Sequence, residues 1–327
     1  MKKYLLFLLF GLCTGCVQEI DIYGGYEYEK KIVFDGVLSN EEPPYYFRLT
    51  ESAPFSDSDV KGITDALIVI SDSQGVKDTL QSMETGEGPS EPDYLGYPGY
   101  PENPSEREYF GVYQTTKIKG KEGETYHLQI AYNDRIYEAI ETMPFVTRID
   151  SVWFAEKYLE GKKETVACPY VNFVNRPEEN NYWLFTYKSY NSPDSLDRLY
   201  ELVEPQNRLW QFSILKDSYL PEKIESFNLN DGEAPFGTEE GLFFHFSDRD
   251  SCTIILYTIT NSTYSFYDDL IKQMRYDGGA FTPAPASARS NISNGALGVF
   301  RVSSVHKKKT LPVMRNRHFV VETMKCR

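Results

Sequence analysis

Thr125-Tyr126-His127-Leu128-Gln129-Ile130-Ala131-Tyr132 places Tyr126, Leu128, Ile130 and Tyr132 at every second position. A period of two belongs to an extended strand, whose successive side chains point to opposite faces. Asn133-Asp134 then turns the chain, and Ile136 to Ile140 returns it. Both turn residues tolerate the left-handed backbone that a tight hairpin requires. A hairpin with one apolar face needs a second layer to cover it, so this stretch sets the class of the chain as mainly β.

The same grammar runs upstream. Lys31 to Leu38 and Tyr45 to Thr50 read as strands, and Ala66 to Ile70 is a short, fully apolar run. Asp72-Ser73-Gln74-Gly75 offers a tight turn before Val76 to Leu80. Strands at this spacing predict an N-terminal sandwich, immunoglobulin-like or transthyretin-like, over residues 26–145. One insertion interrupts it: residues 82–108 are rich in Gly, Pro, Glu and Tyr and lack aliphatic periodicity.

Downstream, Pro144 marks a boundary to a second β-rich domain over 146–327. Its expected strands are Ile149 to Phe154, Tyr182 to Tyr187, Trp210 to Leu215, Leu242 to Phe246, Thr253 to Ile259, Gly295 to Val305 and Phe319 to Glu322. Thr253 to Ile259 is apolar on both faces, as a central strand is. A helix is expected over 263–276, with Ser262 or Thr263 as N-cap and Gly278-Gly279 as stop. Its Phe266, Tyr267, Leu270, Ile271 and Met274 share one face, which should pack on the second sheet.

Composition excludes some partners. The formal charge is −14, so the bulk surface repels nucleic acid and anionic lipid alike. Aromatic content of 15%, led by tyrosine, suits half-buried strands and wet contact surfaces.

At the N-terminus, Lys2 and Lys3 precede the apolar run Tyr4 to Leu12, which is too short to span a bilayer as a stable helix. Leu12-Cys13-Thr14-Gly15-Cys16 follows. Small residues before a cysteine are what a lipoprotein signal peptidase accepts, a narrow extended substrate ending in an acylated thiol. Residues 1–15 are thus expected to be a signal peptide, with Cys16 lipidated and 16–25 a tether carrying Glu19 and Asp21. An ordinary secretory signal with an incidental cysteine is the alternative. With no other segment suited to a bilayer, membrane contact is expected from the lipid alone.

Several stretches together resemble a known family. They are Cys16 in its setting, Ile32-Val33-Phe34-Asp35-Gly36, Asp65 to Ile70, Gly123 to Leu128, Ile149-Asp150-Ser151, and Ser290-Asn291-Ile292 followed by Gly298-Val299-Phe300. In this order they resemble a domain-of-unknown-function family of Bacteroidota outer-membrane lipoproteins, encoded beside SusC-like TonB-dependent receptors. The resemblance covers essentially the whole mature chain. It implies a lipid-anchored, surface-exposed protein of the outer membrane with such a receptor as partner, and it implies no reaction.

The residues themselves offer no reaction either. The four histidines form no HExxH, and there is no GxSxG elbow, phosphate loop or GxGxxG. His127 and His245 fall within expected strands, where a packed histidine is the plainer reading. Asn228 to Glu233 resembles a calcium loop, but its glycine is one place early and no glutamate closes it, so it reads as a turn. Cys168, Cys252 and Cys326 allow three disulfide pairings, and their spacing selects none. His306-Lys307-Lys308-Lys309 is expected in a loop between strands, as a solvated turn or a contact to phosphate or an acidic partner.

No catalytic, cofactor or metal residues are therefore expected. The function expected is that of a non-enzymatic accessory or ligand-binding partner of the receptor, with a structural or adhesive surface protein, and then a secreted hydrolase, as alternatives. The expected contact surface is the insertion. Tyr94, Tyr97 and Tyr100 recur every third residue beside Pro98 and Pro101, and a polyproline-II segment would set all three rings along one edge.

Overall fold

The structure, a computed structural model, describes residues 29–54, 61–83, 111–159, 163–176, 180–190, 212–232, 251–275 and 287–310. Lys31–Arg327 forms one compact unit, with Met1–Lys30 as another. The larger unit is mainly β, in sandwich-like layers, with one α-helix among the described residues.

Its frame is an eight-stranded sheet. In spatial order this runs β12 (Ser213–Lys216), β11 (Tyr182–Tyr190), β14 (Ser251–Ile259), β15 (Leu297–Thr310), β1 (Ile32–Ser39), β2 (Tyr46–Glu51), β6 (Val112–Gln114) and β5 (Gln81–Ser82). All neighbours are antiparallel except β1 and β15. β15 is shared along its length: Leu297 to Ser303 pair with β1, and Ser304 to Thr310 pair with β14. One sheet therefore runs across residues 145 and 146, and Ile292, Ala296, Phe300 and Val302 pack in the same core as Phe34 and Phe47.

Two smaller sheets complete the layers. One, in the order β4 (Lys77–Thr79), β3 (Leu67–Asp72), β7 (Thr125–Tyr132), β8 (Arg135–Thr142), covers the β1–β2 half. The alternating set Tyr126, Leu128 and Ile130 is fully buried there, against Phe34, Phe47 and Phe300, whose ring centroids lie 5.5–6.4 Å apart. The other, β13 (Lys223–Asn228), β10 (Glu164–Val174), β9 (Ile149–Leu159), covers the β11–β14 half. Phe154, Val171 and Phe173 there meet Trp183, Phe185 and Leu256. Each such fully buried large side chain contributes on the order of 2–3 kcal/mol.

β14 is central, as its two apolar faces predict. Cys252, Ile254 and Leu256 enter the second core, while Tyr257 and Ile259 face the opposite way, toward α1 (Asn261–Arg275). The helix begins two residues before the expected start. Thr260 is its cap: its Oγ1 accepts from the Thr263 N–H at 3.3 Å, so the threonine that was expected to cap sits inside the first turn. Glu141 Oε1, at the end of β8, accepts from Ser262 Oγ and ties the helix start to the other half.

The segment between the cores is held from both sides. The Val146 N–H donates to Glu122 at 3.1 Å, the Thr147 N–H donates to Thr258 Oγ1 at 2.9 Å, and Trp183 Nε1 donates to Thr147 Oγ1 at 2.9 Å. The Ser290-Asn291-Ile292 stretch acts in the same way. Asn291 accepts from the Phe300 N–H and donates to the Phe300 carbonyl, both at 2.9 Å, and donates to Glu141 at 2.7 Å. Ser293 and Asn294 then bond to backbone groups of Glu138 and Ile136, covering the outer edge of β8. Gly298, in the left-handed region at φ +87°, lies where β15 meets β1, and a Cβ there would sit 2.0 Å from the Phe34 carbonyl oxygen.

Several expectations are corrected here. His306 to Lys309 lies within β15, paired with β14, and not in a loop. β10 and β13 were not expected at all. Cys168 and Cys252 are buried thiols, which leaves no disulfide between them. Cys326, and the expected strands 242–246 and 319–322, lie outside the described residues, as does the Gly278-Gly279 stop.

Candidate functional site

Cys16, Tyr94, Tyr97 and Tyr100 lie outside the described residues. The root of the insertion is described, and it is specific. β5 ends at Ser82, the Met83 N–H donates to the Val112 carbonyl at 2.9 Å, and β6 begins at Val112. The chain thus leaves and re-enters on adjacent strands at one edge of the eight-stranded sheet. Tyr113 anchors that edge: its ring is buried, its hydroxyl accepts from the Ala66 N–H at 3.1 Å, and burial pushes the phenol up to about 12.

From this root a row of paired residues crosses the outer face of the sheet. Val112 pairs with Arg48, Arg48 with Asp35, and the next strand carries Arg301 one step further along. Strand alternation explains the placement: Phe34 and Phe47 point into the core, so Asp35 and Arg48 point away from it. Arg301 is 8% exposed, with its guanidinium 4.9 Å from the Tyr257 ring centroid and 5.8 Å from that of Tyr267. Its Nη1 donates to the Tyr267 hydroxyl at 2.9 Å, so the helix is pinned to the sheet through a cation over two aromatic faces. Its Nε makes no hydrogen bond among the described residues.

Burial raises the Asp35 carboxyl above its ordinary value, against the pull of Arg301, the Gly36 N–H and Arg48. Arg301 keeps its charge: burial disfavours the cation, but Tyr267, Tyr257 and Asp35 outweigh it. Arg301 serves this group as a hydrogen-bond donor, through Nη1 to the Tyr267 hydroxyl.

A second, aromatic feature lies on the three-stranded sheet. Trp153 and Tyr170 are cross-strand partners stacked at 4.2 Å, both half-buried. Beside them, Asn172 Nδ2 donates to Ser151 Oγ at 2.9 Å. Neither this pair nor Arg301 had a signal in the sequence beyond strand alternation, because each depends on which strands become neighbours.

The remaining polar motifs have structural partners. The Asn228 to Gly232 stretch is a turn containing a 3-10 helix, Leu229–Asp231, with Asn228 Oδ1 accepting from the Asn230 N–H at 3.1 Å. No group of three or more metal-ligating side chains occurs among the described residues. In the basic run, His306 Nδ1 accepts from the Ile149 N–H at 3.1 Å, Lys307 pairs with Glu41 at 2.6 Å, and Lys308 donates to the Asp150 carbonyl at 3.3 Å. These bonds fasten β9 and the loop after β1 to β15.

A family model described as Domain of unknown function (DUF4249) matches residues 17–309. No curated protein matches the chain.

Proposed function

The chain belongs to the DUF4249 family, and from that premise we propose that it is a lipid-anchored protein of the outer-membrane surface, serving a SusC-like TonB-dependent receptor as a non-enzymatic accessory. The observation that carries this reading is Leu12 to Cys16, a lipidation sequence placed directly before the stretch that the family model matches. Two features of the fold support it. The tyrosine- and proline-rich insertion springs from adjacent strands at a sheet edge, which suits presentation to a partner. The perturbed carboxylates Asp78 and Glu124 are engaged by backbone and side-chain donors, which is structural work.

The receptor and the ligand meet the protein, in this reading, at Tyr94, Tyr97 and Tyr100, beside the sheet edge that Tyr113 anchors. The test has two arms. Cys16→Ala is expected to move the protein from membranes into the soluble fraction; retention after a high-salt wash refutes the anchor. Purification of the anchored protein is expected to bring the receptor with it, and replacing the three tyrosines with serine should abolish that without lowering the melting temperature. A lowered melting temperature assigns the rings to the core. Absence of the receptor from the wild-type preparation refutes the accessory role and leaves a structural or adhesive protein.

A further inference from the structure

We propose that the outer face of the eight-stranded sheet holds a small carboxylate ligand, taken by Arg301 and Ser303 of β15 between β1 and the helix. This site stands apart from Cys16 and from the tyrosine insertion, and its test depends on neither.

Strand alternation puts both residues on one face. Phe300 and Val302 enter the first core, so Arg301 and Ser303 point the other way. They are 8% and 0% exposed, and each carries a donor with no acceptor among the described residues: the Arg301 Nε–H and the Ser303 hydroxyl. The rest of the guanidinium is held. Nη1 donates to the Tyr267 hydroxyl, and the Tyr257 and Tyr267 rings lie beside it, which fixes the group without using Nε. Ser39 is the cross-strand partner of Ser303, but its hydroxyl accepts from the Glu41 N–H at 3.3 Å and leaves Ser303 unanswered. Folded proteins match nearly all buried donors. Two unmatched ones at successive outward positions of a strand, about 7 Å apart along it, call for one acceptor group that reaches both.

The surroundings select the chemistry. A carboxylate offers two acceptor oxygens to two donors, one of them cationic, and charge-assisted bonds of that kind are the strong ones. Val37, the cross-strand partner of Arg301, and Asp35 are half-buried, so a small molecule can reach the floor of this face. Val37 and the half-buried rings of Tyr257 and Tyr267 give it apolar walls, which suits a short aliphatic acid. One acid of the described strands shares the face. Asp35 lies within electrostatic reach of Arg301 and Arg48, whereas Asp268 and Asp269 on the helix are paired with Lys272 and Arg289, at 2.6 and 2.5 Å. Glu41, after β1, is paired with Lys307 at 2.6 Å. Asp35 would repel a dianion about twice as strongly as a monoanion, so the site favours a singly charged carboxylate over phosphate.

Arginine side-chain nitrogen–proton NMR spectra of the full-length protein in detergent read the site directly, with sodium acetate replacing sodium chloride at constant ionic strength. The Arg301 Nε–H signal, assigned by its loss in Arg301→Lys, should shift saturably, and its exchange with water should slow about tenfold. Ser303→Ala removes one atom from a buried position and should weaken acetate binding about fivefold without lowering the melting temperature. Asp35→Asn should tighten it, because the nearby negative charge is gone. These two variants carry the test if Arg301→Lys fails to fold, and the signal is then followed through its response to each. A signal unmoved up to about 0.1 M acetate overturns the proposal, as buried water on both donors would leave it. Equal affinity in wild type and Ser303→Ala overturns the pairing of donors. Phosphate dianion binding as tightly as acetate, or weaker acetate binding in Asp35→Asn, overturns the ligand class.

Discussion

Removing the Asp78 carboxylate should destabilise the first core by about 3 kcal/mol, a large share of a typical folding free energy. Asp78 lies in β4 with a buried side chain. Its Oδ2 accepts from the N–H groups of Thr116, Lys117 and Ile118 at 2.8, 2.6 and 2.8 Å, and its Oδ1 accepts from the Thr116 hydroxyl at 2.7 Å. Three consecutive N–H groups aimed at one oxygen form a nest that needs an anion. Asp78→Ala leaves all of them without that acceptor. Thr116 and Lys117 are exposed and recover water, whereas Ile118 is fully buried and loses its only acceptor there. One buried orphan at ~2 kcal/mol, plus a fraction of two charge-assisted bonds, gives the estimate.

Asp78→Asn keeps the shape and the acceptor but not the charge, and should cost about half as much. The pH dependence provides an independent check. Burial pushes the Asp78 carboxyl up, but the N–H groups of Ile118 and Lys117 and both donors of Thr116 win, so its folded value lies below the ordinary one. Its contribution is therefore complete above the ordinary carboxylate value and is lost as pH falls through the lower, folded one. Urea denaturation followed by far-ultraviolet circular dichroism, at pH 7 and in steps to pH 3, measures both effects. An Asp78→Ala midpoint within about 0.5 kcal/mol of wild type at pH 7 would refute this account of the nest.

Phe300→Ala removes one ring of the trio with Phe34 and Phe47 and should cost about 3–5 kcal/mol, measured by the same denaturation. Gly298→Ala puts a Cβ against the Phe34 carbonyl in a left-handed backbone, so it should unzip β1 from β15; amide exchange at Val33 to Ser39 reports this, and unchanged protection there refutes it. Asn291→Ala should cost about 2 kcal/mol and loosen β8 and β15 together, whereas a loss confined to its own loop would contradict the clamp. Burial, Arg148 and Lys308 hold the His306 imidazole below its ordinary value, so the fold favours the neutral ring. Stability is then complete above the ordinary histidine value and declines as pH falls from there toward the folded one, a slope that His306→Gln should remove.

Much of the first core was legible because its signals are local. The alternation from Tyr126 to Tyr132 and the Asn133-Asp134 turn predict β7, the reversal and the buried face, and both turn residues do adopt positive φ, at 49° and 57°. The two apolar faces of Thr253 to Ile259 alone predict the central position of β14. β10 escaped because Cys168-Pro169-Tyr170 interrupts its pattern, with Pro169 sitting where hairpin pairing to Phe154 carries it. The charge of the His306 to Lys309 run predicts a loop. Pairing to β14 holds it extended, and lysines on a strand need only an outward face. Arg301 was invisible as a site residue, since its neighbours Asp35, Tyr257 and Tyr267 come from distant stretches and meet only when the sheet forms.

β15 also dictates a timetable. Val33 finds its parallel partner only in Leu297, and Phe34 finds Phe300 in its core, so the first strand of the fold waits for the last described one. Closing so long a stretch of chain costs entropy before any contact repays it, which makes this pairing slow and late. A chain emerging N-terminus first must therefore carry β1 and β2 with one open edge until nearly all of the sequence has arrived. During that interval the unfilled edge is the place where a second nascent chain would add, and a holding factor would have to cover it. Fragments ending near residue 145 should for the same reason emerge as aggregates, not as a free sandwich.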